Sequence, residues 1–256
     1  MYNYTFTYYK MNAYILSHNG LGDNISMIGA VNFLLQYYVK IYFICKTKYE
    51  SNVRLFFNDN VILIPINENN EFNECKETIM NVYNTNDIFV CGCHKEYVSS
   101  KITNKHILSH IQNNTNIKYG HIFDFYNCIG LDTHIYINYF NIPSTTITTD
   151  YYYKIKKYNI MFVHTQGSNR SINISNITNP FINDDNIIIC PNKNMYTQEN
   201  KHYKLANTYI NLPVAYYIDI IKNSKEIHVI DSCFSCIVYP LQLAGLLNCI
   251  IKIYDM

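Results

Sequence analysis

The chain has 256 residues, 48% of them hydrophobic, which is enough apolar material for one large or two modest domains and carries no signature of disorder. Charged residues make up only 15%, and the formal net charge is +1. This neutrality argues against broad electrostatic binding of nucleic acid, and no apolar run reaches the roughly 18–20 residues that a membrane-spanning helix needs.

The first ten residues are polar and aromatic without an apolar core, so no export signal is expected there. Short apolar runs then predict strands at 14–17, 40–45, 61–66 and 87–91. Helical patterns are expected at 24–38, 49–57, 73–83, 104–112 and 121–129, and the stretch 133–158 shows no clear regularity. A second series follows, with strands at 160–164, 186–190, 225–230 and 249–253 and helices at 214–223 and 234–246. The longest apolar run, 237–253, is interrupted by Pro240, Gln242, Gly245, Asn248 and Lys252.

Strands rich in Val and Ile that do not alternate with polar residues belong to parallel sheets covered on both faces. The expected class is therefore α/β, with two Rossmann-like domains at 1–150 and 151–256 and parallel sheets facing a cleft. Ligands of open parallel sheets bind outside the carboxyl ends of the strands, which places the chemistry in that cleft. Nine cysteines without framework spacing read as reduced thiols of a cytoplasmic protein.

The most informative segment is Gly20-Leu21-Gly22-Asp23-Asn24, a turn between the first strand and the first helix. Glycines let the backbone bend sharply and approach a ligand, and the helix start presents free N–H groups to it. Asp23 is open to two readings. It is either a helix cap or a carboxylate able to take a proton from an acceptor hydroxyl. A dinucleotide fingerprint is incomplete, since Ile25 stands at the third glycine position and the second strand ends in Cys45-Lys46 without an acid for a ribose.

His228-Val229-Ile230-Asp231-Ser232-Cys233-Phe234-Ser235 repeats the strand–turn–helix pattern in the second half. A helix N-terminus with Ser232 and Ser235 is suited to a diphosphate, while capping by Asp231 or Ser232 is the structural alternative. His228, in mid-strand, reads more readily as a hydrogen-bonded core residue. His164-Thr165-Gln166-Gly167-Ser168-Asn169-Arg170 leaves a strand as a polar loop. There Arg170 is either a bidentate phosphate partner or a solvated surface arginine.

Cys91-x-Cys93 with His94 and Cys233-x-x-Cys236 lack the two clean pairs of a structural zinc site, so no metal is expected. Neither an Asp-x-Asp motif nor a Ser/His/Asp nucleophile elbow occurs.

Together these segments resemble the heptosyltransferase-like family, glycosyltransferase family nine, of GT-B fold. The likeness rests on Gly20 to Ser26 opening the first helix, on Phe125-Tyr126-Asn127-Cys128-Ile129-Gly130-Leu131-Asp132, and on His228 to Ser232 before the last helix. It departs where the family continues with glycine and this chain has Cys233. The resemblance implies an inverting transferase in which Asp23 is the base and Asp231 and Ser232 hold the donor's diphosphate. Candidate substrate-binding residues are Gly20, Gly22, Asn24, His164, Ser168, Arg170, His228, Asp231, Ser232 and Ser235.

The implied partners are a nucleotide-diphosphate-sugar donor and a glycan or other hydroxyl acceptor, with no cofactor, no metal, no nucleic acid and no membrane span. A nucleotide-sugar epimerase of the same fold, or an inactive sugar- or nucleotide-binding structural protein, are the alternatives. The Asn-, Ile- and Tyr-rich composition fits an AT-rich genome such as that of a large DNA virus, and a viral source would place the protein in the host cytoplasm.

Overall fold

The computed structural model describes residues 12–112, 121–167 and 171–254. The chain forms two compact units, the first ending at Asn141 and the second beginning at Ile142. Four strands build the first unit's sheet: β1 (Ala13–Leu16), β2 (Ile41–Lys46), β3 (Val61–Ile66) and β4 (Asp87–Val90), in the order β3-β2-β1-β4. The second unit has β5 (Asn159–His164), β6 (Asn186–Ile189), β7 (Glu226–Ile230) and β8 (Ile250–Tyr254), in the order β6-β5-β7-β8. Every strand pair in both sheets is parallel.

Ile15, Phe43, Ile88 and Phe89 of the first sheet, like Phe162, Ile188, Ile227 and Val229 of the second, are almost wholly withdrawn from water. Each such side chain contributes about 1.5–3 kcal/mol by leaving solvent. Burial on successive residues, rather than on alternate ones, is what parallel strands covered on both faces require.

The helices are α1 (Leu21–Ser26), α2 (Ile28–Leu34), α3 (Glu50–Arg54), α4 (Glu71–Val82), α5 (Lys105–Gln112), α6 (His121–Cys128) and α7 (Thr133–Asn138) in the first unit. The second unit has α8 (Thr146–Tyr153), α9 (Ser175–Phe181), α10 (Tyr203–Asn207), α11 (Ile218–Lys222) and α12 (Ser235–Leu243). No helix of the described residues is long and apolar enough to cross a membrane.

Several differences from the sequence reading have local causes. The helix expected over 24–38 is divided at Met27 into α1 and α2, because the Tyr126 hydroxyl enters its backbone ladder. At Gly29, next to the break, an added Cβ would lie 2.8 Å from the Ile135 carbonyl, so α2 and α7 pack closer than any other residue permits.

The segment Phe125 to Asp132 proves to be a helix–helix joint. Gly130 takes a positive φ of 71° after α6, and the Asp132 carboxylate caps α7 by accepting the His134 N–H at 2.7 Å.

A domain boundary at residue 150 would cut α8, which belongs wholly to the second unit. Thr145 and Thr148 close a reciprocal capping box at its start, and Asp219 of α11 accepts the hydroxyls of Ser144, Thr148 and Thr149. These bonds tie α8 to the elements of the second sheet.

In each unit the chain builds outward on one side of its first strand and then crosses to the other side. The crossing points are β1/β4 and β5/β7. Ligands of such sheets usually bind where the loops leaving the carboxyl ends of such a strand pair diverge.

Candidate functional site

At the β1/β4 crossing, the loop after β1 carries Ser17-His18-Asn19-Gly20 into α1. Gly20 is the N-cap and Asp23 the third helical residue, whose Oδ2 accepts the Gly20 N–H at 3.2 Å. Asp23 thus makes the return half of a capping box rather than serving as the N-cap itself. A Cβ at Gly20 would meet Asp23 Oδ2 at 2.6 Å. Gly20 has φ −71°, so the glycine is there to admit the carboxylate and not to turn the chain. Asp23 stays partly exposed.

Asn24, a candidate substrate-binding residue, is the fourth residue of α1. Its side chain is fully buried, and among the described residues neither its amide nitrogen nor its amide oxygen has a hydrogen-bond partner. Position four of the helix faces the interior.

The loop after β4 closes on the loop after β1. The Cys93 N–H donates to His18 Nε2 at 2.7 Å, and Gly92, at φ +66°, lies so near that a Cβ would strike the His18 ring. Behind this bond is a polar network that spacing did not single out. Asn19 Nδ2 donates to Glu71 Oε1 at 2.9 Å, Lys46 Nζ lies 2.8 Å from Glu71 Oε2, and His94 Nε2 lies 3.5 Å from Glu71 Oε1. The Tyr97 hydroxyl bonds His94 Nδ1.

Burial holds His94 below the ordinary imidazole range, partly offset by Glu71, so the ring is neutral at pH 7. Burial alone would raise the Glu71 carboxyl, but the bonds from Lys46 and Asn19 leave it below its ordinary value. Each of the four strands contributes to this network. His18 and Asn19 follow β1, Lys46 ends β2, Glu71 opens the helix after β3, and His94 follows β4. The one signal in the sequence was position just beyond an apolar run.

The β5/β7 crossing brings four predicted residues together. His164 ends β5, and its Nδ1 lies 3.0 Å from Ser232 Oγ in the turn after β7. Ser235 Oγ accepts the Ser232 N–H at 2.9 Å and has the Ser232 carbonyl at 2.6 Å and Asp231 Oδ1 at 3.1 Å as acceptors for its one proton. The Phe234 N–H reaches Ser232 Oγ at 3.3 Å, so the turn is self-capped ahead of α12. Gly167 completes the wall, where a Cβ would sit 3.9 Å from that of Ser232. Burial depresses His164 to about 4, leaving it a neutral ring that orients the serine hydroxyl.

His228 is not with them. It sits in mid-strand, with Nδ1 3.0 Å from the Tyr254 hydroxyl and Nε2 3.3 Å from Glu226 Oε2. Ser168 and Arg170 lie outside the described residues. Among the described residues no three His, Cys, Asp or Glu side chains converge as metal ligands would.

No protein-family model and no curated protein matches the sequence. Solved structures that share the architecture include the family 9 glycosyl transferase of Veillonella parvula, with TM-score 0.56 and 10% identity over 96% of this chain and 87% of that one. The ADP-heptose LPS heptosyltransferase II of E. coli gives 0.55 and 7% over 95% and 90%. The chain has the GT-B-type fold of these glycosyltransferases. At such identities the likeness is one of fold, and any chemistry has to come from the residues.

Proposed function

We propose that the chain is a glycosyltransferase that moves a sugar from a nucleotide-diphosphate sugar to an acceptor hydroxyl, inverting the anomeric centre and needing no metal. The observation that carries this reading is the Asp231–Ser232–Ser235 turn, backed by His164, at the start of α12 and at the sheet's crossing point. The positive end of the α12 dipole and the Ser232 hydroxyl suit a diphosphate there. The E. coli neighbour named for ADP-heptose supports a donor of that class.

In the proposed reaction the acceptor oxygen attacks the anomeric carbon. The bond from that carbon to the diphosphate oxygen breaks, and its electron pair leaves with the nucleotide. The acceptor proton passes to Asp23. The second unit's turn stabilises the charge that grows on the leaving diphosphate, which is the task a metal performs in transferases that use one. Nucleotide sugars and reduced thiols coexist in the cytoplasm, where this reading places the enzyme.

A thermal-shift screen against nucleoside diphosphates and nucleotide sugars tests the donor site, since a ligand that binds only the folded chain raises its melting temperature. A shift with a nucleoside diphosphate, weakened roughly tenfold in affinity by Ser232→Ala, is expected. No shift with any of them removes the reading.

A further inference from the structure

The amino ends of the second unit's strands lie side by side, at the end of the sheet away from the Asp231–Ser235 turn. The Lys225 N–H donates to the Ile160 carbonyl at 2.8 Å, and the Ile250 N–H donates to the Lys225 carbonyl at 3.1 Å. The loops entering β5, β7 and β8 therefore meet there, and they bring two kinds of side chain to one surface.

The first kind is apolar. After α12, Gly245 takes φ +68°, its N–H reaches the Gln242 carbonyl at 3.0 Å, and the Leu246 N–H reaches the Leu241 carbonyl at 2.9 Å. In this helix ending the residue after the glycine commonly packs back on the last turn. Leu246 does not. It is 58% exposed, with Leu243 at 46% and Ile250 at 62%, and the space beside Gly245 is open. A loop pinned by two backbone bonds thus holds large apolar side chains in water.

The second kind is cationic. Lys156 and Lys157 precede β5 and Lys225 precedes β7; all three are exposed, and among the described residues none has a carboxylate partner. Lys156 Nζ lies 4.2 Å from the centre of the Tyr153 ring, which is 54% exposed. The acids of this end stand aside. Asp184 and Asp185 enter the edge strand β6, where Lys201 pairs with Asp184 at 2.5 Å, and Glu226 faces His228.

Exposed leucines among unpaired lysines match an anionic membrane surface, where apolar side chains enter the acyl boundary and ammonium groups stay at the phosphates. A second copy on the same patch would set lysines against lysines. Lys252, exposed in the middle of the edge strand β8, also guards that edge against pairing with another strand.

We propose that Leu243, Leu246, Ile250, Lys156, Lys157 and Lys225 seat the second unit on an anionic membrane surface, without spanning it. This site goes beyond the sugar-transfer reading and does not depend on it.

Flotation of the full chain with vesicles tests the site, using phosphatidylcholine alone and in equal parts with phosphatidylglycerol. Binding to the mixed vesicles alone is expected, weakening as salt is raised. Lys156→Gln with Lys225→Gln is expected to weaken the partitioning roughly twentyfold, and Leu246→Ser roughly tenfold. The chain contains no tryptophan, so Leu246→Trp supplies a single reporter. Its emission is expected to move to shorter wavelength on the mixed vesicles and to stay unchanged on phosphatidylcholine.

No binding to the mixed vesicles overturns the proposal, as does binding indifferent to the lysine and leucine variants, or flotation without a change in the Leu246→Trp emission. A native dimer that Leu246→Ser converts to a monomer in sedimentation assigns the patch to a second copy and overturns it as well. Should Leu246→Ser lower the melting temperature, Leu246→Trp, which keeps the apolar bulk, still decides.

Discussion

Tyr126 of α6 sends its hydroxyl into the backbone of the first helix, where it accepts the Ala30 N–H at 3.0 Å. It donates in turn to the Ser26 carbonyl at 2.9 Å. In an unbroken helix Ala30 would donate to Ser26 directly. The phenol is therefore an inserted link that splits the segment at Met27 and fixes where α1, with Asp23, ends. Tyr126→Phe is expected to lower stability by about 1–3 kcal/mol, because two buried backbone groups lose their partner. Urea unfolding followed by circular dichroism reads this, and an unchanged midpoint would show that the ladder closes without the hydroxyl.

Asn24 allows the opposite experiment. Its amide is fully buried without a partner among the described residues, so it bears a desolvation cost that no bond offsets. Asn24→Leu fills similar volume without polar atoms and is expected to raise stability by about 1–3 kcal/mol. A fall in melting temperature on that replacement would contradict the burial argument.

Acid should weaken the second unit in a defined window. Burial lowers His164 from 6.5 to about 4 in the folded chain, whereas the unfolded chain titrates at the ordinary value. Between those two pH values the unfolded state binds the proton and the folded state does not. Stability is therefore full above about pH 6.5 and declines as pH falls toward 4, by on the order of 3 kcal/mol. His164→Gln should flatten this slope in denaturant titrations run at pH 7.5 and pH 5. An unaltered slope would mean that the ring is protonated in place.

The strands were legible because parallel pairing needs apolar, β-branched runs, and each run such as Val61–Ile66 ends at a polar turn. The helix break at Met27 was not, since its cause lies a hundred residues away in Tyr126. Nor was α8, whose Thr- and Tyr-rich sequence has weak helical propensity and is held by Asp219. The same division holds at the site. His164, Asp231, Ser232 and Ser235 drew attention because they stand where strands meet helices, and the structure brings them together. Asn19, Lys46, Glu71 and His94 are ordinary residues in sequence, and only the sheet order β3-β2-β1-β4 brings them together. Gly20 was found for a different reason from the one it serves, which is to make room for Asp23.

Sugar transfer itself is tested most directly by release of nucleoside diphosphate from a panel of nucleotide sugars, with and without methyl pyranosides, comparing the native chain with Asp23→Asn. The native chain is expected to release nucleotide only when an acceptor is present. Asp23→Asn should lose that release by roughly 10²-fold or more while still binding the nucleotide. Release that is indifferent to both acceptor and Asp23, or none from a chain that binds donor and glycoside alike, would contradict the assignment.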